Sequence, residues 1–356
     1  MSATATITGL LNRHIGDIVA DQHAPAAVGA AIRGADQSVA VAGDRLRPAR
    51  AHRDRDRRPV GPDTLFALGS LTKTFTTLLL AELTARGEVS YDDPIDTHLP
   101  SGATTRPGPD APRTLVDLAT HTAGLPRLPR NLYLRGLRHW WTDPYAAYRP
   151  VDLYRATARL PRHRRRTTIR YSTFGVGLLG QLLANATGTG YAELLAERVL
   201  RPLGMRDTLV PDEATLAERA AHGHRYGRPF PHWHFDALAP SGALYSTAAD
   251  MLRYLRAQLH PATLASASLA SAVVDSQWPR RAHPRGQKVV GLGWDIRVVE
   301  GRTLLWHTGA AGGFTAFAGF SPDADAGVVV LANTTPTHRQ PVIRAGRRLF
   351  RALALP

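Results

Sequence analysis

Helically spaced apolar residues, short apolar runs and Pro/Gly turns follow one another along this chain and mark out its parts. Over Ile7 to Gln22 the spacing is helical, with Arg13, Asp17 and Asp21 on the polar side, which predicts an amphipathic surface helix. Ala26 to Arg33 and Ser38 to Gly43 read as two short strands, with Gly34-Ala35-Asp36 as the hairpin signal between them. The Arg/Asp/Pro stretch from Leu46 to Asp63 reads as a loop. After Thr64-Leu65-Phe66-Ala67, a helix places Phe75, Leu78, Leu79 and Leu83 on one face and stops at Gly87, a typical C′ glycine.

From about Ser101 the pattern changes to helices joined by Pro/Gly turns. Thr114-Leu-Val-Asp117 has the form of a helix start with an acidic N3 residue, ending near His121-Thr-Ala-Gly-Leu-Pro126. Further helices are expected at Val151 to Leu160 and Tyr191 to Leu200, and one capped by Ala239 to Thr247. The last third turns β-rich, at Gly291 to Val299, Thr303 to His307, Phe314 to Phe320 and Gly327 to Leu331. An amphipathic helix with Val342, Ile343, Leu349, Phe350 and Leu353 closes the chain. This order predicts an α/β (α+β) fold: residues 1–100 and 240–356 form one discontinuous domain, an antiparallel sheet flanked by helices. Residues 101–239 form an all-helical insert, with the active site between the two.

Composition narrows the function classes. With 356 residues and 44% apolar content the chain can bury a large core, and without cysteine it has neither disulfides nor thiolate metal ligands. A net charge of +15 raises nucleic acid as a partner, but the arginines, densest at Arg45 to Arg58, Arg162 to Arg170 and Arg344 to Arg351, are scarcely interleaved with aromatics. No nucleic-acid partner is expected. Neither a leader pattern at the N-terminus nor a membrane-spanning apolar stretch is apparent, so a cytoplasmic location without membrane contact is expected.

Three separated segments carry chemistry. Ser70 and Lys73 stand three apart at the head of a helix, so the lysine can reach the hydroxyl and act as the base a weak nucleophile needs. Lys73 and Lys288 are the only lysines in an arginine-rich chain, which suggests a need for a cation that can lose its proton. With this pair we group Tyr171-Ser-Thr173 and His307-Thr308-Gly309-Ala310.

On these motifs the chain resembles the serine β-lactamase and penicillin-binding-protein superfamily, most closely its class C β-lactamase-like branch of peptidases, esterases and acyltransferases. The resemblance runs from Phe66 to Phe314 in seven blocks. It implies that Ser70 becomes acylated, that Lys73 and Tyr171 share the proton work, and that the N–H groups of Ser70 and Ala310 form an oxyanion hole. Thr173, His307, Thr308 and Gly309 would bind substrate, and Gly312 and Gly313 would let it approach the backbone. Two positions depart from the family pattern, in which Asn is usual at Thr173 and Lys at His307. A hydroxyl lacks the forked donor of an amide, and histidine titrates near neutral pH, so both changes favour an ester or thioester over a β-lactam.

The expected activity is hydrolysis of a small acyl substrate without a cofactor. Acyl transfer to an amine or alcohol and an inactive ligand-binding protein are the alternatives. His222, His224, His232, His234 and Asp236 match no standard zinc spacing and are read as a polar loop, so no metal is expected. His121 is read as structural, and Trp140 and Trp141 as packing residues or a roof over the substrate cleft.

Overall fold

The computed structural model describes residues 3–46, 58–106, 108, 111–137, 139–160, 168–282 and 289–356. Most of the 46–63 loop, most of the arginine stretch 162–170 and Lys288 lie outside the described residues. The helices are α1 (Ala3–Ala20), α2 (Thr72–Ala85), α3 (Leu115–Ala119), α4 (Arg130–Arg135), α5 (Pro150–Ala158), α6 (Thr173–Thr187), α7 (Tyr191–Leu195), α8 (Glu213–Arg219), α9 (Ala248–Leu259), α10 (Ala267–Ser276) and α11 (Pro341–Ala354). The strands are β1 (Ala26–Arg33), β2 (Asp36–Leu46), β3 (Arg58–Pro59), β4 (Phe66–Ala67), β5 (Gly223–Arg225), β6 (Arg228–Phe230), β7 (Tyr245–Ser246), β8 (Arg281–Ala282), β9 (Val289–Val290), β10 (Asp295–Val299), β11 (Arg302–Ala311), β12 (Phe314–Ser321) and β13 (Ala326–Ala332).

Nine strands make one antiparallel sheet in the order β3-β2-β1-β13-β12-β11-β10-β9-β8. The N-terminal hairpin therefore continues directly into the C-terminal strands, with β1 paired to β13 from Ala27↔Ala332 to Arg33↔Ala326. Arg33 pairs with Asp36, leaving Gly34-Ala35 as the two-residue turn, and Gly34 takes φ +60°.

Both faces of the sheet are covered, so its central strands are apolar on both sides. Val328, Val330 and Phe317 pack with Leu11 and Ile15 of α1 and with Leu349 and Phe350 of α11. Val329, Leu331 and Phe320 face the other way, into the core that holds α2 and α9. Successive side chains thus alternate between two apolar layers, so each of these strands reads as an apolar run.

The helix after the nucleophile differs from the one-faced helix its pattern predicts: every residue from Thr72 to Leu83 is buried. Its threonines have their hydroxyls satisfied inside. Thr74 donates to the Leu71 carbonyl (2.9 Å), Thr76 to that of Pro240 (2.6 Å) and Thr77 to that of Lys73 (2.9 Å). A threonine so bonded can be buried as readily as an apolar residue.

Residues 101–239 carry α3 to α8, and α3 begins with the capping box of Thr114 and Asp117. This segment also contains the short β5–β6 hairpin, Gly223↔Phe230, which the sequence pattern did not reveal.

Candidate active site

Ser70 sits in a single tight turn, Gly69–Leu71, that runs straight into α2. Two glycines permit that turn. A Cβ built on Gly69, which has φ +51°, falls 2.5 Å from the Ala310 carbonyl carbon and oxygen, and one built on Gly309 falls 1.9 Å from the Leu68 oxygen. The backbone of β11 thus lies directly against the nucleophile turn with no side chain between them. This juxtaposition puts the Ala310 backbone beside Ser70. The turn is held from the other side as well, because Leu68 N–H donates to the Leu244 carbonyl (2.8 Å) and Leu244 N–H to Thr72 Oγ1 (3.2 Å).

The Lys73 amine lies 3.0 Å from Ser70 Oγ and 2.6 Å from the Ser241 carbonyl oxygen. The side chain is only 1% exposed. Burial first, and the nearby Arg127 charge second, hold its pKa well below the ordinary value of 10.5. A neutral lysine amine has two N–H donors and one lone pair. With one N–H on Ser241, the lone pair can face the Ser70 hydroxyl and accept its proton. Ser241 contributes only a backbone oxygen, so nothing in its residue type could have pointed to it.

Tyr171 completes the cluster. Its ring centroid lies 5.1 Å from Lys73 Nζ, 5.5 Å from Arg127 Cζ, 4.7 Å from the His121 ring and 6.3 Å from the His307 ring. Tyr171 is followed by Ser172, the N-cap of α6, whose hydroxyl accepts from Gly175 N–H (2.9 Å) and donates to the Pro126 carbonyl (2.7 Å). His121 grips both flanks of the tyrosine: its Nδ1 accepts from Ser172 N–H (3.2 Å) and its carbonyl from Arg170 N–H (2.8 Å). To do both it takes φ +62°. The structural reading of His121 matches this geometry. Replacing His121 with Ala should remove an acceptor for a buried N–H and destabilise the fold by about 1–3 kcal/mol. Asn, which tolerates the left-handed region, should cost less. Denaturant unfolding of both variants, alongside their kcat, checks the order.

His307, Thr308 and Gly309 lie on β11 as expected, and Thr308 N–H donates to His307 Nδ1 (3.0 Å). An Nδ1 that accepts belongs to a neutral ring with its proton on Nε2. Thr173 opens α6, nearly buried, and its N–H donates to the Arg127 carbonyl (2.9 Å). His121, Tyr171, Gly291, Gly293, Asp295 and His307 line a small crevice of about 30 Å³.

Gly312 and Gly313 do not play the part expected of them. A Cβ on Gly312 would meet Trp233 Cδ1 at 2.6 Å, and one on Gly313 would meet Gly223 Cα at 2.5 Å. The space beside them is filled by the protein's own 223–233 segment, so these glycines pack the β11–β12 turn and are not open to substrate.

The histidine loop is tied into the structure by side-chain bonds. His232 Nδ1 lies 2.9 Å from the Tyr245 hydroxyl, and burial with the nearby His222 and His234 lowers its pKa to about 4. His234 bridges Asp143 (2.6 Å) and Glu213 (2.6 Å). Among the described residues no group of three or more His, Cys, Asp or Glu side chains is arranged to hold a metal ion. Trp140 packs on Tyr133 at 4.9 Å between ring centroids, whereas Trp141 is 73% exposed.

Arg127, like Ser241, is a residue of this site that the sequence did not indicate. It follows the His121–Pro126 motif directly, but one more arginine in this composition carries no signal. Only the fold brings it to Tyr171.

A profile of the family described as Beta-lactamase matches residues 11–353. D-alanyl-D-alanine-carboxypeptidase/endopeptidase AmpH of Escherichia coli is 30% identical over 296 residues, spanning 78% of this chain and 73% of its own. A Beta-lactamase of the same organism is 28% identical over 316 residues, 78% of this chain and 77% of its own. The human protein named Putative beta-lactamase-like 1 is 30% identical over 305 residues, 82% of this chain and 58% of its own.

Proposed function

The chain belongs to the beta-lactamase family, and on that premise we propose that it is a serine hydrolase that forms a covalent acyl-enzyme on Ser70 from a small ester or amide. The observation that carries this reading is the buried Lys73 amine, 3.0 Å from Ser70 Oγ and held toward its neutral form.

The chemistry follows from that arrangement. Ser70 Oγ attacks the substrate carbonyl as its proton passes to Lys73 Nζ. The carbonyl oxygen gains the negative charge, and the N–H groups of Ser70 and Ala310 stabilise it. The Tyr171 hydroxyl then hands a proton to the leaving group, the bond to carbonyl carbon breaks, and the proton on Lys73 restores the tyrosine. In the second half a water molecule gives its proton to the same pair and attacks the acyl carbon, releasing the acid and returning Ser70 to its hydroxyl form.

Thr173 and His307 shape the substrate class. A neutral imidazole and a single hydroxyl stand where the family usually has a lysine and an amide, which suits an ester or thioester better than a β-lactam or an acyl-D-Ala-D-Ala amide. Among the described residues no helix is long and apolar enough to cross a membrane. A cytoplasmic setting is part of this proposal, and fractionation of the producing cells tests it.

Intact-mass spectrometry after exposure to a p-nitrophenyl ester or a fluorophosphonate tests the acyl-enzyme. One acyl adduct on the wild type, absent from Ser70→Ala, is the expected result. No adduct on the wild type under any condition would sink the catalytic reading. An amide product formed with added amine would identify an acyltransferase.

A further inference from the structure

We propose that Arg127 is a specificity-determining residue, which binds a carboxylate carried by the substrate close to its scissile carbonyl. The proposal rests on the acyl-enzyme reading above and adds the charge of the substrate to it.

The Arg127 backbone is fixed, because its carbonyl accepts both Thr173 N–H (2.9 Å) and Phe174 N–H (3.1 Å) at the start of α6. From that base the guanidinium reaches 5.5 Å from the centroid of the Tyr171 ring, the same ring that has the Lys73 amine 5.1 Å from its centroid. A group bound by Arg127 is therefore one tyrosine ring away from the proton-transfer machinery.

The Arg127 side chain is exposed, and none of the ion pairs among the described residues involves it. An arginine beside a buried lysine disfavours the charged lysine, and among the described residues no carboxylate forms an ion pair with this arginine. A guanidinium in that setting presents a planar fork of donors suited to a carboxylate.

The other basic groups of the site complete the case. Lys73 is buried and bonded to Ser70 and Ser241, and His307 accepts a hydrogen bond at Nδ1 in a neutral form. Asp295, an acidic residue, lines the crevice beside His307 and opposes an anion there. An anionic substrate group is therefore directed to the Arg127 side of Tyr171. The carboxylate usually bound through the strand carrying His307 would here be bound from the helical side of the site.

Esters differing only in charge give the test. p-Nitrophenyl hemiglutarate places a carboxylate on the acyl part, 3-carboxy-4-nitrophenyl butyrate places one on the leaving group, and p-nitrophenyl butyrate is the neutral reference. Wild type should prefer one of the charged esters, and Arg127→Gln should lower the ratio of its kcat/KM to that of the neutral ester roughly 10- to 100-fold. Arg127→Lys should restore part of the ratio, mainly through KM. Which charged ester responds tells on which side of the scissile bond the carboxylate sits. A wild type with no charge preference overturns the anchor and leaves the acyl-enzyme standing. Equal losses for charged and neutral esters in Arg127→Gln, with a displaced pH profile, also overturn it, because Arg127 would then act only on Tyr171 and Lys73. Turnover of none of the three esters overturns both.

Discussion

Replacing Lys73 with Met should lower the acylation rate of Ser70 by about 10²–10⁴-fold while leaving the fold at least as stable as the wild type. The two halves of this expectation have one cause. Burial makes the lysine a base, and burial is also what makes it costly to the fold. Arginine at the same position should be as inactive as methionine, because a guanidinium does not deprotonate.

The sign of the pH dependence follows from the direction of the shift. In the unfolded chain the lysine titrates near its ordinary value, and in the folded protein well below it. Between those two values the unfolded state holds more protons than the folded one, so wild-type stability should rise with pH across that window. Below the folded value both states are protonated and the burial penalty is fully present; above the unfolded value it is gone. Denaturant unfolding as a function of pH should show this rise as a difference between wild type and Lys73→Met. The rate of Ser70 acylation should climb on the alkaline side of the same lowered pKa, since only the neutral amine takes the proton.

A methyl group at either glycine of the nucleophile turn should be nearly as damaging to activity. Gly309→Ala would push a Cβ to 1.9 Å from the Leu68 oxygen, and Gly69→Ala would both clash with Ala310 and occupy φ +51°. Relieving either overlap means parting β11 from the turn, at a cost of about 1–3 kcal/mol in stability. The backbone N–H groups of Ser70 and Ala310 would no longer converge, and losing one such donor typically costs about 10²–10³ in kcat. Gly190→Ala is the control: its φ is −58°, and nothing lies within 4 Å of the added carbon. It should leave the rate unchanged and alter stability by no more than about 1 kcal/mol, the scale of a helix N-cap change. Thermal unfolding and steady-state kinetics on the three variants check the contrast.

The nucleophile and its strand partners could be read from the sequence because they rely on side chains that serve little other purpose. Ser70, Lys73, Tyr171 and His307 do come together in space. The sheet was legible for a similar reason: a strand covered on both faces shows as an apolar run bounded by turn residues, as in Phe314–Ser321 and Ala326–Ala332.

What escaped the sequence was supplied by the backbone or by ordinary residue types. The Ser241 carbonyl that holds Lys73 could belong to any residue. Arg127 was hidden in an arginine-rich composition, and its role depends on α6 bringing Tyr171 alongside it. The burial of the Thr residues of α2 was not legible because their hydroxyls find partners only once Leu71, Lys73 and Pro240 are in place. The family resemblance implied that substrate approaches Gly312 and Gly313, but a resemblance does not fix which group fills the space beside a glycine. Here it is the 223–233 segment.

The presence of only two lysines in the chain makes the central claim directly measurable. Protein labelled with ¹³C at lysine Cε should give two signals, and the one missing from Lys73→Met belongs to Lys73. Followed against pH by NMR, that signal should titrate well below 10.5, with its midpoint matching the alkaline rise in Ser70 acylation. A Lys73 signal that titrates at the ordinary value for lysine would contradict the account, because a protonated amine could not take the proton from Ser70.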